Sequence, residues 1–280
     1  MAADDIDTWL TRLVEQSPAG QQPLIGLIRS TCASALALPA LSSETPLSQV
    51  DPDEPAVAEF AEQFSVDVSG ITDEQRARLT AAPGKATFPA VVQMFIADFI
   101  PRNVAGYQAL GVPTDWLPEQ PRWCSRTDAS AVLFNEVLPG VARLHALDPV
   151  TTEVVRLLGA NAHNCRLCKS LREGSALDAG GTETLYGDIG RYEDSQRLTD
   201  AQKAALRYAD ALIWSPARIP SKVAAGVLEH FTPAQARELT LDVMRNASNK
   251  IAVALAADAP RVEHRTERYL IGADGQPVYG

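Results

Sequence analysis

Apolar residues recur at the spacing of an α-helix along most of the chain. The clearest run falls at positions i, i+4, i+7, i+8 and i+12, which form one face of a helix. Its members are Val150, Val154, Leu157, Leu158 and Ala162. Asp148 and Pro149 come directly before this run, and they are typical of a helix cap followed by proline in the first turn.

Two more helix starts are predicted by capping boxes, in which a Thr and a Gln three residues later exchange hydrogen bonds. One box is Thr199 with Gln202, and the other is Thr232 with Gln235. The apolar–polar alternation of β-strands is not evident over any useful length of sequence. The sequence therefore predicts an all-α fold, a helical bundle.

A weak internal repeat divides this bundle into two. Residues 56–64 resemble residues 204–212, and residues 88–98 resemble residues 232–242. Residues 111–122 hold three prolines and mark the boundary. We predict a first helical repeat over residues 1–112, a second over residues 122–260, and a C-terminal extension over residues 261–280 that could pack on a neighbouring subunit.

Composition and charge exclude several classes of protein. The 280 residues are 46% hydrophobic and carry a net charge of −10. An acidic surface repels phosphate backbones, and Lys and Arg form no cluster with interleaved aromatics, so nucleic acid is not an expected partner. The first residues are acidic, unlike a signal peptide, and no apolar run reaches the roughly 18 residues that cross a bilayer. We expect a soluble, cytoplasmic protein with no membrane partner.

The candidate chemistry lies in a C-x-x-C motif of the second repeat, Cys165 and Cys168. In a reducing compartment this motif indicates redox or metal chemistry rather than a structural disulfide. Asn164 is predicted to cap a helix that places Cys165 at its first position and Cys168 one turn later. The positive end of a helix favours thiolates, and the spacing brings both sulfurs within reach of a disulfide.

Two charged residues flank the motif. Arg172, four residues after Cys168, would lie on the same helix face about 6 Å along the axis, where its charge would favour a thiolate; a solvent-facing Arg172 fits the sequence equally well. Glu153 precedes Cys165 by twelve residues. Spacing alone does not place it near the sulfurs, and an exposed first-turn glutamate is the plainer interpretation.

This segment resembles the alkylhydroperoxidase D / carboxymuconolactone decarboxylase family, in which a Glu is followed after twelve residues by C-x-x-C. The resemblance covers residues 148–257 and, in degenerate form, residues 56–105. It implies an all-α bundle that forms homo-oligomers and a thiol peroxidase that reduces hydroperoxides with a thiol or lipoyl reductant. Cys168 would be the peroxidatic thiol, Cys165 the resolving thiol and Glu153 the base of a proton relay. No cofactor is predicted.

The chain departs from that pattern at the histidine that follows the second Cys in the family, because Arg172 stands there. Arginine does not exchange protons at neutral pH. His163, two residues before Cys165, is an alternative proton carrier outside the family pattern. The relay is thus predicted to be impaired or rebuilt.

Two other interpretations stay open. His163, Cys165 and Cys168, completed by Cys124 or His145, offer a tetrahedral set of ligands for a metal ion. Alternatively, the duplicated bundle is an inactive helical scaffold that binds a partner or an apolar ligand.

Overall fold

The computed structural model describes residues 3–45, 55–82, 87–126 and 128–279. This part of the chain is predominantly helical, as predicted. The first half contains α1 (Ala3–Glu15), α2 (Gln22–Leu36), α3 (Pro55–Asp67), α4 (Asp73–Ala81) and α5 (Thr87–Leu110). The second half contains α6 (Ala129–Val132), α7 (Leu138–Ala142), α8 (Pro149–Ala162), α9 (Arg166–Ser170), α10 (Gly174–Asp178), α11 (Glu183–Tyr186), α12 (Asp200–Trp214), α13 (Ser221–His230), α14 (Pro233–Ala247) and α15 (Asn249–Ala254).

The predicted helix starts are confirmed by their caps. The Asp148 side chain accepts a hydrogen bond from the backbone N–H of Thr151, and proline follows it at the first position of α8. The boxes that begin with Thr199 and Thr232 are both closed by their Gln partners, which satisfies backbone N–H groups that a helix start leaves without partners.

Helix α5 forms the centre of the core. It is buried along most of its 24 residues, and it packs against α2 and α3 as well as α12, α13, α14 and α15. The helices compared as repeats in the sequence are α3 with α12 and α5 with α14. One continuous apolar cluster includes residues of all four. Duplication stays a prediction, but both halves of the chain clearly share this core.

A buried ion-pair cluster ties α5 to its neighbours. The Asp98 carboxylate accepts from Arg102 on the same helix, at 2.7 Å, and from Lys250 of α15. The Arg102 guanidinium also donates to the backbone carbonyls of Ser65, Leu212 and Ile213. This single side chain therefore joins α5 to α3 and to α12.

A small sheet is the main departure from the predicted fold. Within the described residues, β1 (Leu171–Glu173) pairs in parallel with β2 (Glu267–Ile271), which pairs antiparallel with β3 (Pro277–Tyr279). These strands are too short for a readable alternation. The partner of β1 also lies about a hundred residues away in the sequence, so no local pattern identifies either strand.

The C-terminal hairpin formed by β2 and β3 packs on its own chain. Gly275, in its turn, has a φ of 83° and lies so close to the backbone of Pro139 that a Cβ atom would stand 2.2 Å from the carbonyl oxygen. The Gln276 side chain donates to the carbonyl of Phe134 at 3.1 Å. The hairpin therefore lies against the segment that contains α7.

Candidate functional site

Cys165 and Cys168 are joined by a disulfide bond, with their Cα atoms 5.3 Å apart. The helix start differs from the predicted one. Asn164 is not the cap, because it adopts a left-handed conformation with a φ of 51° that turns the chain after α8. Cys165 takes the cap position instead, and its Sγ accepts from the backbone N–H of Cys168 at 3.2 Å. Both sulfurs still lie at the N-terminal end of a helix.

Asp258 occupies the remaining N–H groups at this helix start. Its carboxylate accepts from the backbone N–H of Arg166 at 2.8 Å, and its carbonyl accepts from that of Leu167, also at 2.8 Å. The Arg166 side chain closes the contact with an ion pair to the same carboxylate. Asp258 therefore fixes the position of the first turn of α9 and of Cys165 before it.

Both cysteines are buried, and they differ in whether they line a cavity. Cys168 lines a cavity of about 250 Å³, which we call the disulfide cavity. Its walls also include Phe134, Leu138, Asn246, Tyr269 and Tyr279, from the α6–α7 region, α14 and the C-terminal hairpin. Cys165 is completely buried. A reagent that enters this cavity therefore meets Cys168.

Glu153 is buried next to the motif rather than exposed. Its two carboxylate oxygens accept from the Nε and Nη2 atoms of Arg156 at 2.6 and 2.7 Å, and one also accepts from the backbone N–H of Glu173 at 3.3 Å. The plainer interpretation of the sequence, a solvent-facing first-turn glutamate, is wrong because Glu153 is buried in a pair with Arg156 and against the backbone of Glu173.

Arg156 is a site residue that the sequence analysis missed. Its guanidinium donates to the carbonyl of Cys168 at 2.9 Å and to that of Leu171 at 2.8 Å, and it lies over the ring of Tyr269. Burial alone would lower the pKa of Arg156, but the charge and hydrogen bonds of Glu153, with the nearby Tyr269 and Tyr186, together outweigh it and raise the pKa. The signal was present: Glu153 and Arg156 stand three residues apart on one helix.

Arg172 does not extend the helical face of the cysteines. Helix α9 ends at Ser170, and Arg172 lies on β1. Its guanidinium forms two hydrogen bonds with the carboxylate of Glu183, at 2.7 and 2.8 Å, and lies 5.6 Å from the ring centre of Tyr186. The predicted placement along the helix axis is wrong because the chain becomes extended after Ser170.

His163 lies at the end of α8 within a different group of residues. Its ring packs edge-on against Phe99, and it lines a cavity of only about 10 Å³ with Arg102 and Lys250. Burial, followed by the charges of these two cations, holds the pKa of His163 well below its usual value. The imidazole is therefore neutral at pH 7. It lies beside the buried ion pairs of Asp98, Arg102 and Lys250, which we call the Asp98 cluster.

A second cavity adjoins the first. This carboxylate cavity, of about 200 Å³, is lined by Glu153 and by Asp242 of α14. Arg156, Arg245, Tyr269 and Ile271 line both cavities. Asp242 is buried, and its desolvation raises the pKa of the carboxyl group to about 7. Sequence reasoning missed Asp242, which carries no motif around it.

The metal interpretation is not favoured by the geometry. In the described ranges, no group of three or more His, Cys, Asp and Glu side chains is arranged to hold a metal ion. The sulfurs of Cys165 and Cys168 are bonded to each other, and His163 lies with the Asp98 cluster. Cys124 pairs through its backbone with Gln16 in the first half of the chain. The five proposed ligands are therefore not brought together.

Cys32 is a thiol of the core. It is completely buried on α2, and this burial raises its pKa to about 12. Its Sγ lies 3.9 Å from the carbonyl oxygen of Ala61. Cys32 is thus an inert thiol at neutral pH, in contrast to a sulfur that borders a cavity.

Fold and site together define a mainly helical protein with a C-x-x-C disulfide at the wall of a cavity. None of its described helices is long and apolar enough to cross a membrane. The chain belongs to a family with two proteins of Mycobacterium tuberculosis: "Uncharacterized protein Rv2313c" of strain ATCC 25618 / H37Rv and "Uncharacterized protein MT2376" of strain CDC 1551 / Oshkosh. It is 58% identical to each over 275 residues, which cover 97% of this chain and 96% of each relative. No family model matches the sequence, and no solved structure matches it.

Proposed function

We propose that this protein is a thiol–disulfide oxidoreductase of the alkylhydroperoxidase D type, which reduces hydroperoxides with Cys165 and Cys168. One observation carries the proposal: the two cysteines form a buried disulfide in which Cys168 lines a cavity and Cys165 does not. That asymmetry supports Cys168 as the attacking thiol and Cys165 as the resolving thiol. A purely structural disulfide has no need of a cavity at one of its cysteines.

In the proposed reaction the reduced protein begins with a Cys168 thiolate. The sulfur attacks the terminal oxygen of the hydroperoxide, the O–O bond breaks, and the alkoxide leaves as an alcohol after it takes a proton. The sulfenic acid of Cys168 is then attacked by Cys165, which forms the disulfide and releases water. A thiol or dihydrolipoyl reductant restores the two thiols by exchange.

In this proposal Glu153 and Arg156 position the peroxidatic cysteine. Arg156 holds the carbonyls of Cys168 and Leu171, which lie at the two ends of the last turn of α9. Glu153 balances the charge of Arg156 and holds its guanidinium through two hydrogen bonds. Arg172, anchored on Glu183, stabilises the strand that follows. We further propose that the protein works in the cytoplasm and as a homo-oligomer.

The test compares three variants after full reduction and removal of the reductant. Tert-butyl hydroperoxide is added to the wild type, Cys165→Ser, Cys168→Ser and, as the control, Cys124→Ser, and the products are mapped by mass spectrometry. We expect a Cys165–Cys168 disulfide in the wild type and the control. Cys165→Ser should accumulate sulfenic acid on Cys168, trapped with dimedone, and Cys168→Ser should not react. Equal thiol loss in all four proteins would overturn the proposal.

A second candidate function is supported by an apolar cavity of about 460 Å³ between α1, α5, α13 and α14. Its walls are mostly aliphatic, including Leu110, Val112, Leu228 and Leu241. An inactive scaffold that binds a neutral apolar ligand would use this space. Saturable binding of N-phenyl-1-naphthylamine, together with no reaction of the dithiol with hydroperoxide, would favour this second function.

A further inference from the structure

The proposed reaction needs a group that exchanges protons next to Cys168. An alkoxide leaving group must take up a proton, and the Cys165 thiol gives up its own as it attacks and hydroxide leaves. The titratable and charged groups of the two adjoining cavities are therefore the place to search. Those of the carboxylate cavity are His145, Glu153, Arg156, Glu173, Asp242, Arg245 and Tyr269, and Glu238 lies one turn before Asp242 on α14.

Most of these groups are already engaged. Both oxygens of Glu153 accept from Arg156. Glu173 caps α10 through the backbone N–H of Ala176, and Glu238 accepts from the backbone N–H groups of Ala146 and Leu147. Guanidinium groups keep their proton at neutral pH, which removes the two arginines. Burial raises the pKa of Tyr269 and keeps its phenol protonated.

Asp242 is held far more loosely. The hydroxyl of Thr152 lies 3.5 Å from one of its oxygens, and Nη1 of Arg245 lies 3.9 Å from the other. Neither contact is a strong hydrogen bond, so the carboxyl group has capacity to bind and release a proton. Its desolvation brings its pKa to about 7, the value at which a group exchanges protons most readily at neutral pH.

Helix α14 also lines both cavities, so it connects the place of this carboxyl group with that of Cys168. Arg245, one turn after Asp242, lines both cavities, and Asn246 lines the disulfide cavity with Cys168. Tyr269 and Ile271 of β2 complete the boundary between the two spaces. Cavities of about 250 and 200 Å³ have room for several water molecules, each of which needs about 30 Å³.

We infer that Asp242 is the proton-exchanging residue of the Cys165–Cys168 site, acting through water in the two adjoining cavities. The inference rests on the proposed function and deepens it. Asp242 thereby takes the role of proton carrier that the sequence analysis considered for His163. His163 lies with the Asp98 cluster instead.

The proton balance closes with this one group. Before reaction, Cys168 is a thiolate, and Cys165 and Asp242 are protonated. When the S–O bond forms and the O–O bond breaks, the alkoxide takes the Asp242 proton and leaves as the alcohol. The Cys165 thiol then attacks the sulfenic acid of Cys168; the S–S bond forms, and the departing hydroxide takes the Cys165 proton to become water. Disulfide, alcohol, water and an ionised Asp242 remain.

The test is the pH profile of thiol loss in Asp242→Asn. The reduced proteins are mixed with tert-butyl hydroperoxide between pH 5 and 9, and thiol loss is followed by quenching and mass spectrometry. Wild type should lose rate as the pH rises through the Asp242 pKa, because the protonated donor disappears. Asp242→Asn should lack this alkaline decline and react at least about tenfold more slowly at pH 6. Asp242→Glu should restore a decline at a shifted pH.

Two control variants make the result specific. Asp210→Asn removes another carboxyl group with a raised pKa, which lies half-buried on α12 and accepts a hydrogen bond from Tyr192. His145→Gln removes the histidine of the same cavity. Asp210→Asn should keep the wild-type profile. If the alkaline decline disappears in His145→Gln and stays in Asp242→Asn, the proton-exchanging residue is His145 and the role of Asp242 is overturned. If wild type reacts and Asp242→Asn matches it at every pH, the role of Asp242 is overturned while the proposed function stands. If wild type fails to consume hydroperoxide at any pH, the proposed function itself fails.

Discussion

Two buried ion pairs of the same chemistry lie in this molecule, Asp98 with Arg102 on α5 and Glu153 with Arg156 on α8. In both pairs the arginine also donates to backbone carbonyls of neighbouring elements. Each pair therefore acts as a tie between segments. By charge and burial alone, the two would be judged equivalent.

Their surroundings differ. Lys250 joins Asp98 and lies over the rings of Phe64 and Phe99, and the space beside this cluster measures only about 10 Å³. The Glu153 pair instead borders two cavities of about 250 and 200 Å³, one of which reaches Cys168. A buried ion pair thus does not by itself mark a functional site. The proposed site is set apart by the cavity that Cys168 lines.

Asp98→Asn should have the largest effect on stability. The substitution leaves the charges of Arg102 and Lys250 buried without their carboxylate, and we expect a loss of about 3–5 kcal/mol in the free energy of unfolding. Urea titration followed by circular dichroism measures it. The matched control is Asp178→Asn, which breaks an exposed pair with Arg268 and should change stability by less than about 1 kcal/mol. Equal losses in both variants would contradict the structural role of the Asp98 cluster.

Glu153→Gln breaks the corresponding pair at the cavities and should cost less, about 1–3 kcal/mol, because the amide still accepts hydrogen bonds and water can reach Arg156 from the cavities. It should also slow reduction of the Cys165–Cys168 disulfide by dithiothreitol several-fold, since α9 loses its anchor. Thiol titration over time gives this rate. A loss of stability as large as that of Asp98→Asn would contradict the claim that the cavities let water reach the Glu153–Arg156 pair.

His163→Gln should produce the smallest effect, a modest loss of stability at neutral pH whose size depends on pH. The folded protein holds His163 neutral, while the unfolded chain takes up a proton below about pH 6.5. Wild-type stability is therefore lost as the pH falls below that value, by about 1 kcal/mol for the first pH unit. The variant has no imidazole that takes up a proton on unfolding. The free energies of unfolding of the two proteins should therefore become more similar as the solution becomes acidic. A difference that stays constant from pH 7.5 to 5.5 would place a charged imidazole in the folded protein.

The sequence predicts the helical parts of this molecule well because their determinants are local. The caps at Asp148, Thr199 and Thr232 are formed as expected, and Val154, Leu157 and Leu158 of the predicted apolar face are buried. The pairing of Cys165 with Cys168 follows from a spacing of three residues. In each case the interacting groups lie within one or two helical turns of each other.

The site beyond the two sulfurs could not be predicted in the same way. Arg172 was misplaced because the end of α9 depends on the pairing of β1 with β2, which the local sequence does not encode. The raised pKa of Asp242 comes from its burial beside the carboxylate cavity, which α8, α14 and the hairpin line together. The local sequence of residues 238–246 does not predict this burial. Long-range packing creates both the cavities and the pKa of that carboxyl group.

The pairing of β1 with β2 has a consequence for how the molecule opens. It joins segments about a hundred residues apart, so it closes a long loop at considerable entropic cost, and most side chains of the hairpin remain partly in solvent. Such an element exchanges its amide protons sooner than the α5 core. We expect hydrogen exchange to reveal a small subglobal opening around residues 267–279, through which bulky molecules reach the cysteines while the helical scaffold stays folded.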